Sequence, residues 1–193
     1  MKKAVIVFHS VCGNDYLVAL RFKDVLASLG ITVDLTRVPD QAWVEKPDLS
    51  ETARNNVRAM RGLPEASPAM LESADLIVLG SPTYFGNVSA PMKAFMDATG
   101  GLWIKGKLAG KKCAVFTSAG NAEGGGALCL QALQTYAQYM GMQAVPVPVT
   151  ALPGENISAL GIIHYSNGKY AEVLDLKTLR AVEAFCAIIK ALL

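Results

Sequence analysis

Residues 79–87, with the sequence LGSPTYFGN, carry the side chains with the clearest chemical potential in this chain. They lie between an apolar run and a helical pattern, which predicts a loop at the carboxyl end of a strand. Gly80 permits an unusual φ and Pro82 removes a backbone donor, so we expect the chain to turn here. The aromatic faces of Tyr84 and Phe85, beside hydrogen-bonding groups, suit a flat heterocycle with polar edges, such as a flavin. The alternative is a structural turn whose aromatic rings fill core space.

Two further loops have the character of ligand-binding turns. Residues 10–16 (SVCGNDY) form a strand-to-helix turn, and the N–H groups and partial positive charge of a helix N-terminus bind phosphate. This turn is neither a Walker A loop nor a GxGxxG fingerprint, and ordinary helix capping is its alternative interpretation. Residues 117–126 place a glycine cluster after another strand, which could equally be a mobile loop. Three such loops at successive strand ends indicate a bound mononucleotide.

A parallel sheet covered by helices must position these loops. Residues 4–8 (AVIVF) are apolar without alternation, as in a strand that is buried on both faces. Further strands are predicted at residues 31–35, 76–79 and 113–116. Helices are predicted up to about residue 29, at 50–61 with Ser50 as N-cap, at 91–98, up to about 140, and after an N-cap at Asp175.

The remaining elements complete one α/β domain. Residues 143–149 are predicted as a fifth strand at a sheet edge, because Pro146 and Pro148 cannot donate to a ladder on that side. Residues 100–103 are expected to form a turn, and the last helix is expected to bury Leu176 on its apolar face. Without a repeat or a linker, residues 1–193 predict a single domain with a doubly wound, five-stranded parallel sheet and helices on both faces.

Composition and charge exclude several functional classes. The chain is 52% hydrophobic and 18% charged, as in a protein with a globular core, and its net charge of +2 does not favour a nucleic-acid partner. No apolar stretch is long enough for a membrane span, and a first strand beginning almost at Met1 argues against a signal peptide. The four cysteines form no CxxC pair, so no metal site is expected. These features favour the cytoplasm.

Four motifs together resemble a known family. Ser10-x-x-Gly13-Asn14 is followed in order by residues 80–87, 99–103 (TGGLW) and 118–120 (SAG). This set resembles the WrbA family of flavodoxin-like NAD(P)H:quinone oxidoreductases over about residues 1–150. The resemblance implies FMN as cofactor, a flavodoxin-like sheet of order 2-1-3-4-5, and a homodimer or homotetramer whose active sites lie near subunit contacts.

The resemblance also implies roles for individual residues. It implies phosphate binding by Ser10, Val11, Cys12, Gly13, Asn14 and Asp15. It implies contacts with the flavin ring by Thr83, Tyr84, Phe85, Ser118, Ala119 and Gly120. Pro82, Gly86 and Asn87 of the same motif are also expected to bind the cofactor. Trp103 would border the space above the ring where substrates stack, and the alternative is that it anchors its turn onto the preceding helix.

Asp15 departs from the family pattern, because flavodoxin-like phosphate turns usually carry threonine at this position. A hydroxyl bonded to a charged oxygen contributes roughly 1.5–3 kcal/mol. A carboxylate facing the phosphate would instead repel it by about 4 kcal/mol per pair of unit charges at about 4 Å and an effective dielectric of about 20. We therefore expect Asp15 to turn away, toward free N–H groups of its own helix.

These observations lead to a first functional hypothesis and two alternatives. The first is an FMN-dependent oxidoreductase that transfers electrons from NADH or NADPH to a quinone-like acceptor, both substrates stacking in turn on the flavin. Its chemistry would take place at flavin N5, without a catalytic protein residue. The alternative is a flavodoxin-type electron carrier, but such carriers are typically strongly acidic. A third hypothesis is a flavodoxin-like scaffold that has lost FMN, for which Asp15 is the only indication.

Overall fold

A six-stranded parallel sheet forms the centre of the fold. The computed structural model describes residues 1–44 and 46–193. The strands are β1 (Lys3–Phe8), β2 (Thr32–Arg37), β3 (Leu76–Pro82), β4 (Lys112–Ala119), β5 (Gln143–Ala144) and β6 (Ile162–Tyr165). Their order is β2-β1-β3-β4-β5, and β6 also pairs with β4. The predicted order is therefore confirmed, whereas the predicted count of five strands is wrong.

Helices connect the strands and cover both faces of the sheet. They are α1 (Asn14–Ser28), α2 (Glu51–Arg61), α3 (Ala90–Ala98), α4 (Gly100–Ile104), α5 (Gly126–Tyr139) and α6 (Leu176–Leu192), with short 3-10 helices at Pro68–Leu71 and Val149–Ala151. The predicted N-caps are confirmed, since Ser50 Oγ accepts from Ala53 N–H and Asp175 Oδ1 accepts from Thr178 N–H. Two details are wrong. The turn predicted at residues 100–103 is the helix α4, and Leu176 is exposed on α6.

The core consists of two apolar layers, one on each face of the sheet. Alternate residues of β1 point to opposite layers, with Ile6 and Phe8 on one face and Val5 and Val7 on the other. All of β1 from Ala4 onward is buried, as its unbroken apolar sequence predicted. Helices α1 and α6 cover the first face, and α3 and α5 cover the second.

The edge beyond β4 is divided between two short strands. The predicted strand at residues 143–149 is wrong in length, because only Gln143 and Ala144 pair with β4. The chain then leaves the sheet at Pro146 and Pro148, which lack N–H donors, and Val147 N–H donates to Ala159 O at 3.0 Å. The chain returns to the same edge as β6, opposite the carboxyl-terminal half of β4.

Gly80 is a strand residue whose small size matters more than its flexibility. It lies within β3, between Phe8 of β1 and Phe116 of β4 in the register. The turn expected at Gly80 is wrong, because β3 continues through Pro82 and Gly80 is not among the glycines with positive φ in the described chain. A Cβ atom at this position would lie 2.0 Å from Phe116 Cζ. The Phe116 ring therefore packs directly over the backbone of β3.

This packing predicts that Gly80→Ala destabilises the protein. Overpacking a well-filled core costs typically about 1–3 kcal/mol, and β3 and β4 are both central strands. Denaturant unfolding should show the loss as a lower midpoint. The matched control is Gly101→Ala on α4, where a Cβ atom would meet open space and where alanine is the better helix former. Equal midpoints for the two variants would contradict the packing argument.

Candidate functional site

Loops after β1, β3 and β4 meet at one cleft. These strands are parallel neighbours, so their carboxyl ends lie at the same edge of the sheet. The space between the loops, here called the loop cleft, has a volume of about 160 Å³. It is lined by Ser10, Val11, Cys12, Asn14, Asp15, Pro82, Thr83, Tyr84, Ser118, Ala119, Gly120, Ser166 and Tyr170. Most of the predicted cofactor-binding residues are therefore brought together.

The turn before α1 leaves the helix N-terminus open. Ser10 Oγ accepts from Gly13 N–H at 3.0 Å, which closes the turn. Gly13, the N-cap, has a φ of 91° and gives the helix no side-chain cap. A Cβ atom there would lie 2.6 Å from Ala171 Cβ. Both the positive φ and the lack of space therefore require glycine at this position. The first N–H groups of α1 have no intrahelical partner, and they can serve an anion.

A second layer covers this turn, formed by residues 166–171. Ala171 N–H donates to Asn14 Oδ1 at 2.7 Å, and Asn14 Nδ2 donates to Lys169 O at 3.2 Å. Asn56 of α2 donates to Ala171 O at 2.6 Å. These bonds place Tyr170 and Ser166 at the loop cleft, although the sequence motifs did not reach this segment.

The loop after β3 is a tight turn held by backbone bonds. Tyr84 and Asn87 exchange two N–H···O bonds of 3.0 Å each, and Phe85 and Gly86 between them have positive φ values of 52° and 73°. Two positive φ values are the pattern of a type I′ turn. Tyr84 is 45% exposed and lines the loop cleft, whereas the Phe85 side chain is fully exposed beyond it.

Hydrogen bonds join the β3 and β4 ends into a fixed wall. Thr83 N–H donates to Ser118 O at 2.8 Å, and Thr117 Oγ1 donates to Ser81 O at 2.6 Å. The carbonyls of Ala119 and Gly120 each accept, at 2.9 Å, from the N–H groups of the two residues that follow β6. The wall is thus set by backbone bonds and by the Thr117 hydroxyl, which join β4 to the end of β3 and to the chain after β6.

Asp15 is the buried acid of the site. It is 1% exposed, and its Oδ2 accepts from Ser118 Oγ at 2.7 Å. In the described part of the chain, Oδ1 has no hydrogen-bond partner. Burial raises the Asp15 pKa to about 7. Hydrogen bonds from the Ser118 hydroxyl and from the backbone N–H groups of Ser118 and Asp15 favour the carboxylate and so act in the opposite direction. The expected contact with an N–H group of its own helix is present at Asp15, but the side chain also bonds across to Ser118 of β4 and lines the cleft.

Burial also shifts the pKa values of other titratable groups near the cleft. Burial raises the pKa of the Cys12 thiol and raises the pKa of Tyr84 to about 12, so both hold their protons at neutral pH. His9 is buried and pairs with Asp40, and burial lowers its pKa. His164 is buried on β6, where its Nδ1 lies 3.1 Å from Asp175, and burial lowers its pKa as well.

Some predicted residues lie outside the loop cleft. Gly13 lies behind the turn, and Gly86 and Asn87 line a separate groove between α3 and α5. Trp103 is 56% exposed on α4 and is not among the described residues that line the loop cleft. Its predicted substrate role stays a prediction.

Comparison with known proteins identifies the family. A sequence model of the family described as NADPH-dependent FMN reductase matches residues 4–156. The chain belongs to this family. An NAD(P)H dehydrogenase (quinone) of Deinococcus radiodurans is 40% identical over 144 residues, covering 75% of this chain and 72% of that protein. One from Geobacter sulfurreducens is 36% identical, covering 75% and 71%. The resemblance to the WrbA family is confirmed.

Solved structures show the same fold. A flavodoxin, WrbA-like protein from Agrobacterium tumefaciens superposes with a TM-score of 0.68 at 20% identity, covering 100% of this chain and 97% of that one. Oxidised Flavodoxin 2 from Bacillus cereus superposes with a TM-score of 0.64 at 19% identity, covering 99% of each. The flavodoxin-like fold class is thereby confirmed.

The described residues contain neither a helix that could span a membrane nor a cluster of metal-binding side chains. No helix in residues 1–44 and 46–193 is both long and apolar enough to cross a membrane. Nor does this part of the chain contain a group of three or more His, Cys, Asp or Glu side chains that could hold a metal ion.

The raised pKa predicts how the stability of the cofactor-free protein depends on pH. Unfolded aspartate titrates near 3.9, so between about pH 4 and pH 7 the folded state binds more protons than the unfolded state. The free energy of unfolding should therefore fall as pH rises through this window, by up to about 4 kcal/mol from this group. Asp15→Asn should lack this loss, because asparagine stays neutral and still accepts from Ser118.

Denaturant unfolding of both proteins across pH 4–8 measures the difference. The difference in free energy of unfolding between Asp15→Asn and the wild type should grow in favour of the variant up to about pH 7 and then stay constant. Asp24→Asn, an exposed position on the same helix, should follow the wild type. Parallel curves for the wild type and Asp15→Asn would mean that Asp15 titrates normally.

Proposed function

We propose that this chain is an FMN-dependent NAD(P)H:quinone oxidoreductase that transfers electrons from NADH or NADPH to a quinone-like acceptor. The observation that carries this proposal is the loop cleft, which is lined by the uncapped N-terminus of α1, by Tyr84 and by the end of β4. Family membership and relatives named NAD(P)H dehydrogenase (quinone) support the same activity.

The cleft residues fit FMN. At one end, the free N–H groups of α1 and the Ser10 turn suit a phosphate, and the unpartnered Oδ1 of Asp15 leaves a polar position for a ligand. Near the β3 and β4 ends, Tyr84 offers a half-exposed ring, and Ser118, Ala119 and Gly120 line the cleft as well. When bound, FMN supplies hydride acceptance and electron donation, chemistry that side chains lack.

Protein hydrogen bonds fix the residues around the cleft. Thr83 is fixed through its N–H to Ser118 and through its hydroxyl, 2.8 Å from the Thr117 hydroxyl. Ser89 N–H donates to Ser81 Oγ at 2.9 Å and closes the far end of the β3 loop. A wall that is set beforehand lowers the ordering cost of binding. Because Cys12 keeps its proton and both histidines are paired, we assign no catalytic protein residue.

We extend the proposal to organisation and location. Residues 1–193 form a single flavodoxin-like FMN-binding domain of a cytoplasmic homodimer or homotetramer, whose partners are small molecules and neither nucleic acid nor membrane. Large apolar side chains at Phe85, Trp103, Ile104 and Leu128 are exposed in the isolated chain, which supports association between subunits. Analytical ultracentrifugation tests the oligomer, and a monomer at micromolar concentration would contradict it.

Stopped-flow reduction tests the activity. The FMN-loaded protein is mixed without oxygen with NADH or NADPH, and flavin bleaching is followed before a quinone is added. We expect fast bleaching by at least one nicotinamide and rapid reoxidation by the quinone. Very slow bleaching by both nicotinamides would instead support the flavodoxin-type carrier.

Cofactor selectivity provides a prediction for the phosphate turn. The protein should show oxidised-flavin absorption and prefer FMN to riboflavin and FAD, because the cleft has a single helix N-terminus for one phosphate. Fluorescence titration of the cofactor-free protein measures the three affinities. Equal affinities for FMN and riboflavin would remove the role given to Ser10–Asp15.

The proposed substrate role of Trp103 predicts a kinetic effect. Trp103→Ala should raise KM for both substrates several-fold while FMN stays bound, because aromatic contacts contribute roughly 0.5–1.5 kcal/mol beyond area burial. Ile104→Ala is the matched control, since Ile104 is 79% exposed on the same helix. A Trp103→Ala variant with unchanged KM and a much lower Tm would make Trp103 a packing residue.

A further inference from the structure

The loop cleft contains a buried acid for which the proposed activity has no use. Asp15 is the second residue of α1, at the end of the helix whose N–H groups suit an anion. Its carboxyl is almost wholly buried, with Oδ2 bonded to Ser118 and with Oδ1 unpartnered among the described residues. A buried polar atom without a partner is unfavourable, so Oδ1 is a position where a ligand atom would complete the hydrogen bonding.

The surroundings of Asp15 contain little charge. The described residues that line the cleft include no lysine, arginine or histidine. The titratable groups close enough for Asp15 to act on are Cys12 in the turn, Tyr84 after β3 and Cys129 on α5. Burial raises the pKa of each of these three groups, so all are neutral between pH 6 and pH 8. Lys46 and Asp48, from the segment before α2, act with opposite signs on Cys12.

We propose that Asp15 binds the phosphate of FMN as a neutral carboxylic acid, donating a hydrogen bond from Oδ1, so that FMN binding takes up a proton. This inference rests on the proposed function, since it concerns the same site. The Ser118 hydroxyl occupies Oδ2, which leaves Oδ1 to carry the proton. The acid then donates to the phosphate where a threonine hydroxyl would do so, and the repulsion expected from a carboxylate disappears.

This binding mode makes FMN affinity depend on pH with a definite sign. In the cofactor-free protein, burial raises the Asp15 pKa to about 7, so the binding-competent acid is mostly present at pH 6 and mostly absent at pH 8. Apparent Kd varies inversely with the competent fraction, which falls about tenfold over these two pH units. The affinity of the wild type should therefore weaken as pH rises, with half of the proteins competent near pH 7.

Asp15→Asn provides the comparison, because its amide donates to phosphate at every pH and still accepts from Ser118. Kd for FMN is measured by fluorescence quenching of the cofactor-free wild type and variant at pH 6 and pH 8. The Kd values of the wild type and the variant should agree within a few-fold at pH 6. The ratio of the wild-type Kd to the variant Kd should be about tenfold larger at pH 8 than at pH 6. The second ionisation of the FMN phosphate affects both proteins equally and cancels in the ratio. A ratio that does not change with pH overturns the proposal.

Riboflavin and an exposed acid serve as controls. Riboflavin lacks the phosphate, so its Kd ratio between the same two proteins should not change with pH. The Asp24→Asn variant should show the wild-type dependence on pH with FMN. If riboflavin shows the same change in ratio as FMN, Asp15 does not act on the phosphate and the proposal fails.

Calorimetry gives a readout that does not depend on a variant folding. Titrating FMN into the wild type at pH 7 in buffers of different ionisation enthalpy should show uptake of about half a proton per FMN. The Asp15→Thr variant should show no such uptake and should bind FMN more tightly than the wild type at pH 8. Absence of uptake in the wild type overturns the proposal but leaves the proposed oxidoreductase intact. Failure of every variant to bind FMN at any pH overturns both.

Discussion

The pairing of β3 between β1 and β4 is the constraint on which the site depends. The three strands run parallel in a continuous register, with Gly80 opposite Phe8 on one side and Phe116 on the other. Because both faces of β3 are buried, a slip by one residue would move apolar side chains into the wrong layer. The register therefore fixes where each strand ends. With it, the Ser10 turn, the Tyr84 turn and the Ser118 wall meet at one edge of the sheet.

The loop cleft is polar without containing a basic side chain in the described chain. Its positive potential comes from the partial charge and free N–H groups of α1, which act over short distances. In such a cleft one buried carboxyl matters more than it would on a surface, since the low local dielectric strengthens its field. The Asp15–Ser118 pair links the start of α1 to the end of β4, so the protonation of Asp15 affects both sides of the cleft.

The divided sheet edge brings a further segment to the site. β5 ends after two residues because the prolines that follow cannot donate to a ladder, and β6 takes up the pairing farther along β4. The chain beyond β6 then continues along Ala119 and Gly120 and folds over the Ser10 turn through Asn14. Tyr170 thus reaches the cleft from the far end of the chain.

Local patterns in the sequence determined the fold class and the N-caps at Ser50 and Asp175. The strand order followed from the family resemblance. These features depend on local periodicity, short capping motifs and a motif set covering residues 1–150. The short β5, the helix α4 and the exposure of Leu176 depend on packing between distant segments, which no local pattern records. The same holds for the cleft: its loops were predictable, but Ser166 and Tyr170 were not. Only the tertiary structure placed the Asp15 carboxyl against the Ser118 hydroxyl, because a pair separated by 103 residues meets only when α1 packs against the end of β4.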